Sequence, residues 1–288
     1  MRKTKIASKD YTISMLPQTR KAVFFDVVHL QWKNLILLGL ILALFYVPVL
    51  IATATRDLMQ SGIYLSAQNE DLVNAKNGII FLQVAHGILL IPLMAVFSVA
   101  LSGALRIIRQ YAWEENVHLT TDFAKGIRDN YRQTAAICCL AGLIYTLCIL
   151  VYHSASAYQN SALSLFSLLP IGISAMVVLP VFAIALAMIP VYSNTLFQAL
   201  KNAFYVYCRS LLKVLLATVC CLLPWVPALI PNFYCHILGG LLGIVLTPFI
   251  LLGWNLFCYN RFDTHINPQV CPELIGKGTF PADKNNIL

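Results

Sequence analysis

The sequence places one ionisable side chain well inside a long apolar stretch, in FLQVAHGILLIPL. His86 and Gln83 stand three residues apart, so a helix presents them on the same face. An imidazole and a carboxamide at this depth can titrate or bind a polar ligand between helices, and such residues are default functional candidates in membrane proteins. Alternatively, His86 makes an interhelical hydrogen bond where Gly87 lets two helices approach closely. The sequence leaves both interpretations open.

A second group of chemically capable residues, Glu114, Glu115 and His118, stands in WEENVHL. Two carboxylates and an imidazole resemble part of a metal site, but they are also typical of a solvated, charged helix end, which we favour. The sequence contains no HExxH, GxSxG, Walker or GxGxxG motif. We therefore expect a protein that is not an enzyme and that uses neither a metal nor a cofactor.

The elements that position these residues are long apolar stretches. Hydrophobic residues make up 59% of the 288-residue chain and charged residues only 11%. Each stretch is close to the length of about 20 residues that crosses a hydrocarbon core of ~30 Å. None alternates in the way that barrel strands do. We predict an all-α polytopic membrane bundle of six transmembrane helices. The predicted spans are Leu35–Ile51, Gly78–Leu105, Ala135–Tyr152, Ser167–Tyr192, Leu211–Ile230 and Cys235–Phe257.

Basic residues are distributed unevenly between the predicted spans. Of the 20 Lys and Arg residues, 18 fall in alternate segments that include both ends of the chain, when Lys213, at the start of the fifth span, is counted with the segment before it. The positive-inside rule then predicts that both termini are cytoplasmic. The formal net charge of +8 follows from this topology, so we expect attraction to anionic inner-leaflet lipids and not to nucleic acid. We divide the chain into a basic cytoplasmic N-terminal segment with an amphipathic helix (1–34), a transmembrane domain (35–260) and an irregular cytoplasmic tail (261–288).

Each odd-numbered predicted span follows a short basic and aromatic stretch: FFDVVHLQWKNL, DFAKGIRDNYRQT and LFQALKNAFYVYCRSLLK. In the second stretch, Phe123, Ile127 and Tyr131 recur every four residues, which is the pattern of a helix lying in the membrane interface. We predict three units, each an interfacial helix followed by a transmembrane hairpin. The residues expected to contact lipid or a partner protein are Trp32, Lys33, Phe123, Lys125, Arg128, Tyr131, Arg132, Lys201 and Arg209.

Prolines and glycines mark special positions within the predicted spans. Pro92, Pro180 and Pro248 each remove a backbone donor, and the resulting kinks either line a cavity or are structural, with neighbouring helices satisfying the freed carbonyls. Gly239 and Gly243 have the spacing of a close helix contact. We expect that contact to lie within the chain.

At DFAKGIRDNYRQT the sequence resembles the bacterial YesL-like family of integral membrane proteins, whose activity is uncharacterised. The family motif D-F-x-x-G-x-(K/R)-x-N-(F/Y)-(K/R)-Q is matched by Asp122, Phe123, Gly126, Arg128, Asn130, Tyr131, Arg132 and Gln133. A second element, an LrNA core, is matched by Leu200, Lys201, Asn202 and Ala203. The family's TIGPA stretch is not found, since Pro48 is followed by VLIATATRD. The resemblance implies a protein of the bacterial plasma membrane that is associated with carbohydrate-utilisation systems, often beside sugar ABC transporters, and it carries over no catalytic residues.

Two functional classes follow. The first is a non-enzymatic integral membrane accessory, scaffold or regulatory component of a transport or signalling system, linked through the resemblance to carbohydrate ABC transport. The second is a small transporter or permease for a neutral or largely apolar solute, using the proline-interrupted helices with Gln83 and His86. The scarcity of ionisable residues inside the predicted spans and the repeated basic stretches favour the first class. The sequence does not determine the oligomeric state.

Overall fold

The computed structural model describes residues 16–66, 72–157, 166–230 and 232–280, and these residues form helices and turns without a β-strand. They include six helical stretches that are long and apolar enough to cross a membrane, as a multi-pass membrane protein requires. The helices are α1 (Arg20–Ser66), α2 (Leu72–Ala112), α3 (Leu119–Ala157), α4 (Leu168–Ile173), α5 (Leu179–Met188), α6 (Leu196–Arg209), α7 (Leu211–Leu222), α8 (Phe233–His265) and α9 (Asn267–Val270). A π-helical turn joins α4 to α5, and a 3₁₀ turn, Leu223–Leu229, extends α7.

The first two helices are much longer than the predicted spans. Helix α1 has 47 residues and α2 has 41, which at 1.5 Å per residue is about 70 and 60 Å. Both lengths are about twice the ~30 Å hydrocarbon core, so the helices extend beyond it. The helical part of α1 after Ile51 replaces much of the connection expected between the first two predicted spans, because no proline interrupts α1 after Pro48.

Two of the three basic stretches are not separate helices. The first is continuous with the apolar part of α1, so the predicted boundary at residue 34 is not a break in the chain's helical path. The second is continuous with the apolar part of α3. Only the third forms its own helix, α6, which begins with a capping box between Thr195 and Gln198 and ends at Arg209, with Ser210 as its C-cap.

Pro180 explains the irregular geometry of the fourth span. It has no N–H to donate to the carbonyl of Met176, four residues earlier. The chain forms a π-helical turn at Ser174–Val178, and the freed Met176 carbonyl accepts a hydrogen bond of 2.8 Å from the Tyr207 hydroxyl of α6. The proline is therefore accommodated by a neighbouring helix.

Glycines allow the helices to approach closely. A Cβ added to Gly39 of α1 would lie 2.3 Å from the Val245 carbonyl oxygen of α8, so the two backbones are nearly in contact. Gly239 packs against Ala228, and Gly243 packs against the Trp225 ring. The predicted close contact of these two glycines within the chain is confirmed.

The C-terminal segment is more regular than predicted. Helix α8 continues to His265, and short helical turns follow it. The Lys277 ammonium lies 4.1 Å from the Trp113 ring centroid, and the Phe280 N–H donates to the Pro17 carbonyl over 3.0 Å. The segment is thereby held across the ends of α1 and α2. The rest of the predicted tail, 281–288, and the first fifteen residues lie outside the described part of the chain.

Candidate functional site

The basic stretches gather at one end of the bundle, which we call the basic end: the start of α1, the end of α2, the start of α3, α6 and the end of α8. Side-chain hydrogen bonds join these elements. Arg109 at the end of α2 donates to the Pro190 carbonyl over 3.2 Å. The Tyr192 hydroxyl, before α6, donates to Asn267 Oδ1, after α8, over 2.5 Å. Residues far apart in sequence therefore share one surface.

Most of the residues predicted to contact lipid or a partner are exposed at the basic end. The Arg128 side chain is 77% exposed and lies 3.5 Å from the Asp129 carboxylate. Lys33 lies over the Trp32 ring, with 5.5 Å between its ammonium and the ring centroid. We call the exposed cations of this set the basic collar; they are Lys33, Lys125, Arg128, Arg132, Lys201 and Arg209.

The aromatic residues of the second stretch face the interior more than predicted. Phe123 packs against α2, where a Cβ added to Gly103 would lie 2.6 Å from the Phe123 ring. Tyr131 is half-buried. A four-residue apolar repeat is produced by helix packing as well as by an interfacial helix, and for Phe123 the structure shows helix packing. Phe123 is therefore a contact between α2 and α3.

Gln83 and His86 have different partners. Gln83 Oε1 contacts His153 Nε2 of α3. His86 is 6% exposed, and its Nε2 lies 3.3 Å from the Thr53 hydroxyl of α1. Because α2 lies between α1 and α3, Gln83 and His86 point to opposite sides of α2, with Gln83 toward α3 and His86 toward α1. The predicted pair does not form one shared site.

His86 instead belongs to a polar cluster that the sequence pattern does not predict. Two nitrogens of Arg56 contact Asp57 Oδ1 at 3.0 and 2.6 Å. The other oxygen of Asp57 pairs with Nδ1 of His236 on α8. The side chains of Arg56, Asp57 and His236 are each less than a fifth exposed. We define Thr53, Arg56, Asp57, His86 and His236 as the polar cluster.

The polar cluster joins three helices near the end of the bundle opposite the basic end. Its one acid and one arginine neutralise each other, so the cluster carries no net charge while both histidines are neutral. The sequence did not indicate this cluster because Arg56 and Asp57 lie beyond Ile51, the predicted end of the first span. They belong to α1 only because the helix continues past that residue. His86 Nδ1 is buried and, among the described residues, has no hydrogen-bond partner.

Glu114, Glu115 and His118 do not converge on a common point. Glu115 pairs with Arg109 at 2.9 Å and with Lys277 at 3.4 Å. The backbone N–H of His118 donates to the Asp122 carboxylate over 2.8 Å. Within the described ranges no three His, Cys, Asp or Glu side chains form a group that could hold a metal ion.

Glu114 has an unusual environment at the end of α2. Its backbone φ is 55°, a left-handed conformation that side-chain-bearing residues rarely adopt. Partial burial, followed by the nearby Asp26 carboxylate, raises the Glu114 pKa to about 7. This carboxyl group therefore titrates near neutral pH.

Comparisons of the chain with models of protein families, with curated proteins and with solved structures find no match. The features of the chain that bear on function are the basic collar, the polar cluster and the motif of the second basic stretch.

Proposed function

We propose that the protein is a non-enzymatic accessory, scaffold or regulatory component of the bacterial plasma membrane, with both termini in the cytoplasm. The uneven distribution of Lys and Arg supports this orientation. The resemblance of DFAKGIRDNYRQT to the YesL-like family supports the proposal and adds its link to a carbohydrate ABC transport system. The basic collar is the surface that contacts the partner and the anionic inner-leaflet lipids.

One observation carries the proposal: the exposed cations of the collar come from three different helices and are largely unneutralised. Among the described residues only one of the six, Arg128, has a carboxylate within 4 Å. Unpaired cations on one surface attract an anionic partner and steer its approach. A collar that served only to stabilise the fold would have paired charges.

Helix α6 contributes an apolar surface beside these cations. It buries Ala199, Ala203 and Val206 against the bundle, while Phe197 is 77% and Phe204 51% exposed. A helix with one face in the protein and exposed aromatic and basic residues elsewhere suits the membrane interface. This amphipathic character supports an interfacial unit at α6.

Affinity purification in mild detergent tests the proposal. We expect a transport or signalling protein to co-purify stoichiometrically with the unchanged protein and with Arg128→Lys, which keeps the charge. Arg128→Glu should reduce recovery by about tenfold or more, because it replaces attraction with repulsion across the interface. Equal recovery with Arg128→Glu, in a variant that elutes as the wild type does in size-exclusion chromatography, would contradict the proposal.

The polar cluster favours a second candidate function, transport of a neutral or largely apolar solute. His86 is buried with one ring nitrogen unpartnered in the described structure, and buried ionisable groups commonly mark solute pathways. Purified protein in liposomes should then transport a member of a panel of sugars and polyols, and His86→Ala should abolish that flux. Absence of flux above that of protein-free liposomes eliminates this candidate.

A further inference from the structure

A second cationic feature of the basic end is the junction between α6 and α7. Ser210 breaks the helix there, with φ −132° and ψ 27°, and it is 7% exposed. Its hydroxyl does not cap α7; it lies 3.2 Å from Nε2 of His265 at the end of α8. The junction is thereby held against the last long helix.

Two arginines flank this contact without an acidic partner. Arg209 immediately precedes Ser210, and Arg261 lies one helical turn before His265 on α8. Within the described ranges neither guanidinium has a carboxylate within 4 Å. Arg261 Nε is also buried without a hydrogen-bond partner in that part of the chain. Lys213 follows one turn into α7 and is exposed. Positive charge therefore accumulates here uncompensated.

Aromatic rings orient the two guanidinium groups. Arg209 Cζ lies 5.5 Å from the Tyr205 ring centroid, and Arg261 Cζ lies 5.4 Å from the Phe257 ring centroid. Such stacking limits the rotamers of an arginine while leaving its N–H donors available. The donors are thus partly preorganised for an anion.

The position of the junction indicates which anion it meets. Ser210 immediately precedes the apolar stretch Leu211–Ala228 that can cross a membrane. In the following turns Leu212 is 79% and Leu216 68% exposed, as expected for side chains that face acyl chains. Arg209, two residues before this stretch, and Lys213, in its first turn, therefore lie at the level of the lipid head groups.

We propose that Arg209, Arg261 and Lys213 bind the phosphate of one anionic phospholipid at the α6–α7 junction, with its acyl chains along the exposed leucines of α7. A guanidinium matches phosphate with two parallel N–H donors, which an ammonium cannot do. A zwitterionic lipid binds more weakly because its own cation meets the three basic side chains. The inference rests on the proposed interfacial position of α6, but not on a partner protein.

Native mass spectrometry of the full-length protein tests this site, with phosphatidylglycerol and phosphatidylcholine as probes. We expect one phosphatidylglycerol adduct that persists at activation energies that remove phosphatidylcholine. Each cation near an anionic head group contributes about fivefold in affinity, so Arg209→Gln should weaken the adduct about fivefold and Arg209→Gln with Arg261→Gln about thirtyfold. Arg209→Lys should retain part of the affinity, and Lys76→Gln, at an exposed position near the start of α2 and so at the opposite end of the bundle, should retain all of it.

Three results would overturn the site: equal retention of the two lipids, unchanged retention in the double variant, or displacement of the adduct by millimolar inorganic phosphate. The last result would indicate a site for free phosphate. Size-exclusion chromatography and circular dichroism establish that each variant is folded, and Arg209→Gln changes an exposed side chain only. Loss of partner recovery with Arg128→Glu but normal lipid retention would separate the partner proposal from this one.

Discussion

The hydroxyl of Tyr207 on α6 donates a hydrogen bond of 2.8 Å to the Met176 carbonyl oxygen in the π-helical turn before α5. Met176 is the residue whose carbonyl loses its partner because Pro180 has no N–H. Tyr207 is 4% exposed, so the donor is well removed from water. The Tyr207 hydroxyl therefore replaces the backbone donor that Pro180 lacks.

We predict that Tyr207→Phe lowers the free energy of unfolding by about 1–3 kcal/mol, because a buried carbonyl loses its donor. In a Pro180→Ala background the alanine N–H can donate to the same Met176 carbonyl. The decrease in the free energy of unfolding caused by Tyr207→Phe should then be smaller. Thermal unfolding in detergent measures all four proteins of this double-mutant cycle. Tyr205→Phe, at an exposed position of α6, is the control. Equal costs in the two backgrounds would show that Tyr207 acts independently of the proline.

Gly278 should be essential for docking of the C-terminal segment. Its φ is +82°, and an added Cβ would lie 2.3 Å from the Ala112 carbonyl oxygen. Gly278→Ala combines a left-handed backbone with a steric clash, at a cost of about 1–3 kcal/mol. We expect faster hydrogen exchange in residues 272–280 and faster proteolysis there. Gly172→Ala, whose Cβ meets no atom within 4 Å, should change neither, and protection equal to wild type in Gly278→Ala would refute the assignment.

Glu114 should make stability depend on pH below neutrality. Its pKa is raised from 4.5 to about 7 by burial and by Asp26, so between these values the folded state holds a proton that the unfolded state has released. The stabilising effect is complete below about 4.5 and is lost as the pH rises through about 7. The side chain is only partly buried, so solvent screening keeps the effect small.

The unfolding temperature measured from pH 4 to 8 tests this expectation. Glu114→Gln should show a flatter profile than the wild type, and Glu273→Gln, at an exposed residue, should keep the wild-type profile. Identical profiles for wild type and Glu114→Gln would contradict the raised pKa.

The polar cluster should couple α1 to α8. Asp57→Asn removes the charge that pairs with Arg56 and His236. We expect the free energy of unfolding to fall by about 1.5–3 kcal/mol, since hydrogen bonds to charged groups have this magnitude. In the Asp57→Asn background, His236→Gln should lower the free energy of unfolding by less than it does in the wild type. Thermal unfolding of the two single variants and the double variant measures this difference. Strict additivity of the two costs would mean that the two side chains do not interact.

The orientation can be tested by thiol labelling of intact cells. In a cysteine-free background we expect a membrane-impermeant maleimide to leave Cys208, exposed on α6 at the basic end, unlabelled until the cells are lysed. Ser61→Cys, at an exposed position near the other end of α1, should react in intact cells. Labelling of Cys208 before lysis would reverse the proposed topology.

The sequence near a pair of glycines predicts that a close helix contact exists, but it does not predict which part of the chain makes that contact. The spacing of Gly239 and Gly243 predicts a close helix contact, and the structure confirms it because small side chains permit that contact with whichever helix is adjacent. The identity of the neighbour, Trp225 for Gly243, depends on how the chain folds back, and a single helix carries no information on that.

The same division applies to the candidate sites. Hydropathy and charge along the chain were sufficient for six membrane-length apolar helices, because the membrane demands long apolar segments whatever packs beside them. They also identified the exposed cations of the basic collar, since an unneutralised charge is excluded from the core. The contact of Phe123 with Gly103 does not follow from the sequence, because the same apolar periodicity describes a face that packs on a helix and a face that meets lipid. Only the tertiary structure brought Asp57 to His236 and Ser210 to His265, because these pairs are 179 and 55 residues apart in sequence and meet through the packing of α8 against α1 and against the α6–α7 junction.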